Sequence, residues 1–523
     1  MCAIDRCHAG RLDLRCAAQS LSEPSSHHVA FRLSECHITG WHNIGLLVCT
    51  QETRKTSAQS PSRGNVMNAA PEISATLARH VASATVPAEV RAITRRAAID
   101  AIGVMTAASG LGEGCDAFAA LAKESGESGA CTVLGFDFRT SPIMAAFANG
   151  AMAHALDFED THDATLVHPH AAVVPAALAA AEFAGGVSGR EFLDAVAIGA
   201  DLSCRLALGL TESVEKRGFY FIPMLSAYGA AAAVARVLKL SEAEIVQSLA
   251  LASCQAVFSD ALVSYPASHL RAVRDGFSAR AGVTAALLAR RGLQAFDRPI
   301  EGPGGLYANF ARGRFDAARM LNGLGQDYEG AKVSFKPWPS CRGTHAFVEG
   351  ALSMVREQAI DADRIERINI TVSPFFAVLC DPPAQKRRPK TAIDAKFSVP
   401  FTVAVALGQG DVTLRDFSAE RLSDPRLHAL ADKVHHMVEP SWTLEQSTRG
   451  ALTLSLADGR SVTSEVIDPL GHPLNPMDES ALRRKVEDCL AVAREPMNGT
   501  AVRQLVGRLE ELEQVTEMRQ VFS

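Results

Sequence analysis

The sequence predicts a mainly α protein: an all-helical large domain, discontinuous in sequence, that carries a smaller inserted α+β domain. Three observations predict it. From Glu72 to Leu324 apolar residues recur at helical spacing in a chain with frequent Ala and only 6% aromatics. Ala has the highest helix propensity, whereas sheets favour aromatic and branched residues. Near Lys332 the texture changes to alternating segments with a hairpin signal. Last, two amphipathic helices at the C-terminal end are too few to fold alone and are expected to return to the first helical layer. The expected helical domain spans 67–332 and 473–523, the α+β domain 333–472, and their junction is the natural place for a pocket.

The elements follow in order. Ile73, Leu77, His80 and Val81 mark a first helical face, and 89–110 a second helix with Gly110 as its stop. Residues 130–135 suit a short strand before a turn. Helices follow at 171–184, 189–208, 223–238 and 242–258, with Gly and Ala at contact positions that let helix axes approach closely. In the inserted domain 367–372 and 451–456 alternate as strands. The turn Asp458-Gly459 leads to a hairpin partner at 461–466, and helices fall at 343–356 and 398–407. Residues 478–493 and 499–512 are the returning helices.

Charge and composition exclude several classes. The net charge of −6 argues against nucleic acid as a partner, and hydrophobic residues at 47% rule out general disorder. No run reaches the roughly 18 apolar residues that span a bilayer. Of 12 Cys, five (Cys2, Cys7, Cys16, Cys36, Cys49) fall in the first 66 residues and the rest form no CxxC pair. That pattern fits small apolar residues in a reducing cytoplasm rather than a disulfide framework. Residues 1–66 lack any periodicity and read as a disordered tail, with Met67 as the expected natural start.

Four clusters could carry chemistry. The first runs from Asn149 to His170 through NGAMAHALDFEDTH and VHPH in an Ala-rich setting, where grouped polar residues need a reason. A helical reading puts His154, Asp157 and Thr161 on one face, with His168 just before the next helix: a carboxylate, a hydroxyl and an imidazole able to move protons. A metal held by His154, Asp157, Asp160, His162, His168 or His170 is the competing reading, but no standard ligand spacing is present and no metal is expected. In the second cluster Arg271 and Arg274 lie three apart, as guanidinium forks suited to carboxylates. The third, FKPWPSCRGTH, contributes Lys336, Arg342 and His345; Cys341 there matches no nucleophile signature. The fourth, PKTAIDAKFS, has Ser398 as a helix cap and Lys396 as a structural residue.

These clusters, in this order, resemble the MmgE/PrpD family from about Met67 to Leu512. The resemblance implies a helical large domain, an α+β lid, a cofactor-free site between them and a homodimer. It carries Asp157, Thr161, His168 and Lys336 over as site residues, with one residue more than in some relatives between Thr161 and His168. Two positions depart: Tyr220 of RGFY stands where the family commonly has His, and Arg271 where it commonly has Lys. Tyr titrates near ~10 and Arg is practically never a base, so both usual proton carriers are replaced while the capacity to bind anions survives.

The expected function is cofactor-independent proton transfer α to a carboxylate of a small di- or tricarboxylate. Asp157, His168 and Tyr220 would be catalytic, and Thr161, Arg271, Arg274, Lys336 and Arg342 would bind substrate, supported by His154 and His345. A reaction like that of 2-methylcitrate dehydratase is expected first. The alternatives are epimerisation as in iminodisuccinate epimerase, decarboxylation as in cis-aconitate decarboxylase, and, from another class, carboxylate binding without turnover.

Overall fold

The computed structural model describes residues 72–522 apart from Ala256, Pro266 and Ala267, and these belong to one compact unit. The tail reading for 1–66 lies outside the described residues.

The chain is mainly helical. Helices Gly189–Leu208 and Glu242–Ser253 each open on a capping box, Ser188 with Glu191 and Ser241 with Glu244, which satisfies the first free N–H groups. Helix Asp275–Arg290 packs against both Pro142–Ala155 and Phe221–Val237. The first contact is close because Gly276 has no side chain: a Cβ there would sit 2.6 Å from the carbonyl of Phe147. That approach carries Arg274 up to the end of Pro142–Ala155.

The sheet has four strands in the order Val434–Val438, Ile365–Val372, Gly450–Leu456, Ser461–Val466. The first pair is parallel (Ile368 opposite Val434) and the others antiparallel (Ile370 opposite Leu452, Leu452 opposite Ser464). Ile368, Ile370, Leu452 and Leu454 are buried on one face, and helix His345–Gln358 packs against the last two strands.

Several expectations need correction. Helix Ala88–Leu111 runs past Gly110 and ends at Gly112. Gly110 is instead a contact point, since a Cβ there would lie 2.4 Å from the carbonyl of Val492. The helix expected at 242–258 ends at Ser253, because the Phe258 carbonyl accepts the N–H of Tyr220 at 2.9 Å. The strand at 130–135 shrinks to Cys131–Thr132, paired with Arg139–Thr140. Strand Val434–Val438 was not foreseen: it is an edge strand with only Val434 fully buried, so it shows no clean alternation.

Helix Glu479–Ala491 packs on Ala88–Leu111. Lys485 Nζ lies 2.6 Å from Asp100 Oδ1, donates to the Phe158 carbonyl at 2.6 Å and sits 3.9 Å over the Phe158 ring. Burial still pushes the Asp100 carboxyl up to about 6. Removing one member of a buried pair strands the other charge. Lys485→Met should therefore lower stability by about 3–5 kcal/mol in denaturant unfolding, and Asp100→Leu combined with it should recover most of that. Additive losses would show that the pair does not couple these helices.

Candidate active site

Helix Pro142–Ala155 stops before Asp157, which takes a left-handed φ of 47°. The expected helical face through His154, Asp157 and Thr161 is therefore not formed; a loop brings these residues together. A left-handed residue other than Gly is strained, at about 1–3 kcal/mol, and persists where surrounding contacts hold it. Here they do. Lys336 Nζ donates to Asp157 Oδ1 at 2.7 Å and to the Asp157 carbonyl at 2.9 Å. Thr161 and Ser334 exchange backbone hydrogen bonds of 2.9 and 2.7 Å, strapping the loop to the segment that carries Lys336. Asp157 and Lys336 are fully buried.

Glu159 lies between two imidazoles, in contact with His154 Nδ1 and 3.1 Å from His168 Nδ1. An Arg274 N–H donates to His154 Nε2, so His154 carries its proton on Nδ1. His168 Nδ1 faces three oxygens, the Asp160 carbonyl at 3.0 Å, Glu159 at 3.1 Å and Thr161 Oγ1 at 3.2 Å. The Glu159 carboxylate and the Asp160 carbonyl can only accept, which puts the proton on Nδ1 and leaves Nε2 as the basic nitrogen. Burial holds both rings well below the usual His value; the Arg274 cation adds to this at His154, and Glu159 opposes it at His168. The His168 side chain keeps 11% exposure, against none for His154, Asp157 and Glu159. Asp157 Oδ2 and Glu159 Oε2 are buried without a hydrogen-bond partner among the described residues.

Arg274 is buried. It donates to the Arg271 carbonyl at 3.0 Å and stands 5.3 Å over the Tyr220 ring. Tyr220 precedes helix Phe221–Val237, and burial raises its hydroxyl against the pull of Arg274 and Arg271. Arg271 lies 3.4 Å over the Phe397 ring and makes no ion pair among the described residues. The remaining candidates are engaged elsewhere. Arg342 donates to the carbonyls of Leu470 (3.0 Å) and Pro469 (2.9 Å), with Nε 3.4 Å from Asp163, and His345 Nε2 faces the Ser340 carbonyl at 3.1 Å. Cys341 is a thiol pushed up to about 11 by burial, unsuited to nucleophilic attack.

Two residues of this cluster were not anticipated. Glu159 sits two residues after Asp157, off any shared helical face, and only its acidity in an apolar stretch signalled it. Lys396, read as structural, is 2% exposed and close enough to Asp157 and Lys336 to feel both charges.

Ligand atoms of His154, Asp157, Glu159 and His168 lie within 4.8 Å of one another. This set suits a metal poorly: Asp157 is already paired with Lys336, and Glu159 already faces two imidazole N–H groups. The other metal candidates pair off separately, His170 with Asp160 at 2.7 Å and His162 with Thr165 at 2.7 Å.

The chain matches the MmgE/PrpD N-terminal domain over residues 73–318 and the MmgE/PrpD C-terminal domain over 338–507. It therefore belongs to the MmgE/PrpD family and is an enzyme of that type. It is 27% identical to the cis-aconitate decarboxylase of Mus musculus, over 81% of this chain and 86% of the relative. It is 27% identical to a cis-aconitate decarboxylase-like protein, oryM, of Aspergillus oryzae, over 68% of this chain and 77% of that one. It is 24% identical to the 2-methylcitrate dehydratase of Escherichia coli K12, over 65% and 73%. Among the described residues no helix is long and apolar enough to cross a membrane.

The imidazoles carry a pH signature. Burial lowers His154, His168 and His345 in the fold, so the unfolded chain binds these protons first. The stability of the neutral rings is then present above about pH 6.5 and lost as pH falls below it. Melting temperature should drop on acidification from there, and labelled-histidine NMR should find His168 Nε2 unprotonated at that pH. A half-protonated His168 would contradict the burial of this site.

Proposed function

We propose that the protein is a cofactor-independent lyase for a small tricarboxylate, moving a proton at a carbon α or vinylogous to a carboxylate. The observation that carries this reading is the orientation of His168. Its Nδ1 is held by Glu159 and the Asp160 carbonyl, so Nε2 is a neutral, preorganised proton carrier beside a buried ammonium.

In this reading His168 Nε2 takes or returns the proton. Lys336, kept in place by Asp157, and Arg271 face the carboxylates, and positive charge stabilises the enolate-like electron density that builds on the substrate. Thr161 and the free oxygen of Asp157 suit a substrate hydroxyl, and Tyr220, beside Arg274, is the second acid. Decarboxylation of cis-aconitate ranks first, because the match to the Mus musculus decarboxylase covers 81% of the chain against 65% for the Escherichia coli dehydratase. In that reaction the bond to the departing carboxylate breaks, its electrons form a new double bond, and the displaced double-bond electrons accept a proton. Dehydration of 2-methylcitrate is the second reading, in which His168 removes a C–H proton as the hydroxyl leaves with one from Tyr220.

NMR of metal-stripped protein with cis-aconitate, 2-methylcitrate, citrate and iminodisuccinate tests the assignment. Conversion of a tricarboxylate is expected. His168→Asn should slow it by about 100-fold or more, the usual scale for a lost proton carrier. Lys336→Ala should lower kcat/KM by at least ~2 kcal/mol, or about 30-fold. Binding without conversion of any member would instead favour a carboxylate-binding protein, as the Tyr220 and Arg271 replacements allow.

A further inference from the structure

Lys396 has no role in the chemistry above, yet its surroundings are unusual for a lysine. It ends the short helix Ala392–Lys396, and its carbonyl accepts the N–H of Cys341 at 2.9 Å, which fixes it against the segment that carries Lys336. Its Nζ donates to the Pro339 carbonyl at 3.0 Å and lies 4.0 Å over the Phe417 ring. Among the described residues it makes no ion pair. Of the charged groups around the site, Asp157 and Glu159 on the loop and Glu113 between helices favour its charge, and Lys336 opposes it. The Cys489 thiol on Glu479–Ala491 also lies within its field. Burial outweighs them all and brings the amine down to about 7.

Lys396 also lines a cavity of about 500 Å³ together with Glu113, Leu156 and Phe417. Arg415, Glu420 and Arg421 are the other charged groups in its lining. Leu156 immediately precedes Asp157, so one wall of this cavity is the back of the site loop. Lys396 thus stands between a space large enough for a small tricarboxylate and the buried His168–Lys336 cluster. Like Arg271, it lies against an aromatic ring and makes no ion pair among the described residues.

Resting on the tricarboxylate reading above, we propose that Lys396 is a carboxylate anchor charged by its ligand: uncharged in the empty protein, it takes a proton from solvent when a substrate carboxylate enters from the adjoining cavity. Binding and proton uptake are then one event. The empty site avoids holding a second buried ammonium beside that of Lys336, and a ligand without a carboxylate gains nothing from this contact.

Citrate serves as the probe. Calorimetry in two buffers of different ionisation heat, at pH about 8, should show uptake of about one proton by the parent protein beyond that seen with Lys396→Arg or Lys396→Met. The excess should vanish near pH about 6, where the amine is already charged. In parallel, NMR of lysine-labelled protein follows the Lys396 signal, identified by its loss in Lys396→Arg. Its midpoint should lie near 7 in the free protein and rise on adding citrate. A midpoint near ~10 in the free protein, the ordinary lysine value, overturns the inference whatever binds. Citrate binding with equal proton uptake in parent and variants also overturns it. Absence of heat with citrate and with cis-aconitate sinks the tricarboxylate reading, while the free-protein midpoint still decides the state of Lys396.

Discussion

The buried pair between Lys336 and Asp157 is the constraint on which the site depends. A lysine and an aspartate without solvent contact are tolerable only with tight geometry, and the loop supplies it by giving Nζ both the side-chain and the main-chain oxygen of one residue. This explains why Asp157 holds a left-handed backbone that interrupts the helix. The turn sends Phe158 toward Lys485 and sets Glu159 between the imidazoles. The Thr161–Ser334 bridge then closes the loop onto the Lys336 segment. Each contact separately is modest. Together they fix four ionisable groups in positions none would hold alone.

Charge balance is the second organising fact. Asp157 is paired with Lys336, Glu159 sits between two imidazole N–H groups, and Arg274 has the buried Asp275 3.4 Å from its Nε. Outside these pairs stand Arg271 over Phe397 and Lys396 over Phe417, each against an aromatic face instead of a carboxylate. Aromatic faces stabilise a cation without cancelling its charge. Such an arrangement suits a small anion that brings its own carboxylates.

Much of this was legible in the sequence because it rests on local pattern. The Ala-rich helices, the hairpin around Asp458-Gly459 and the cap Ser398 follow from spacing and turn chemistry. Grouping polar residues in an apolar stretch pointed to His154, Asp157, Thr161 and His168. The rest depends on contacts distant in sequence. Nothing near Asp157 announces that Lys336 will draw it into a left-handed turn. A helical reading therefore put His154 and Thr161 on one face and left out Glu159. Arg342 looked free to bind substrate until the carbonyls of Pro469 and Leu470, more than a hundred residues away, took its donors. Lys396 looked like a helix-end lysine; only burial by Pro339 and Phe417 reveals its altered character.

The central claim is that His168 Nε2 carries protons between solvent and substrate carbon without a metal or organic cofactor. Turnover of cis-aconitate in deuterium oxide by chelator-treated protein tests it most directly, with the product read by NMR. One deuterium at the newly formed C–H is predicted, together with loss of labelled product in His168→Asn while citrate still binds that variant. Product free of deuterium, labelling that survives His168→Asn, or turnover that returns only on adding a metal would contradict it.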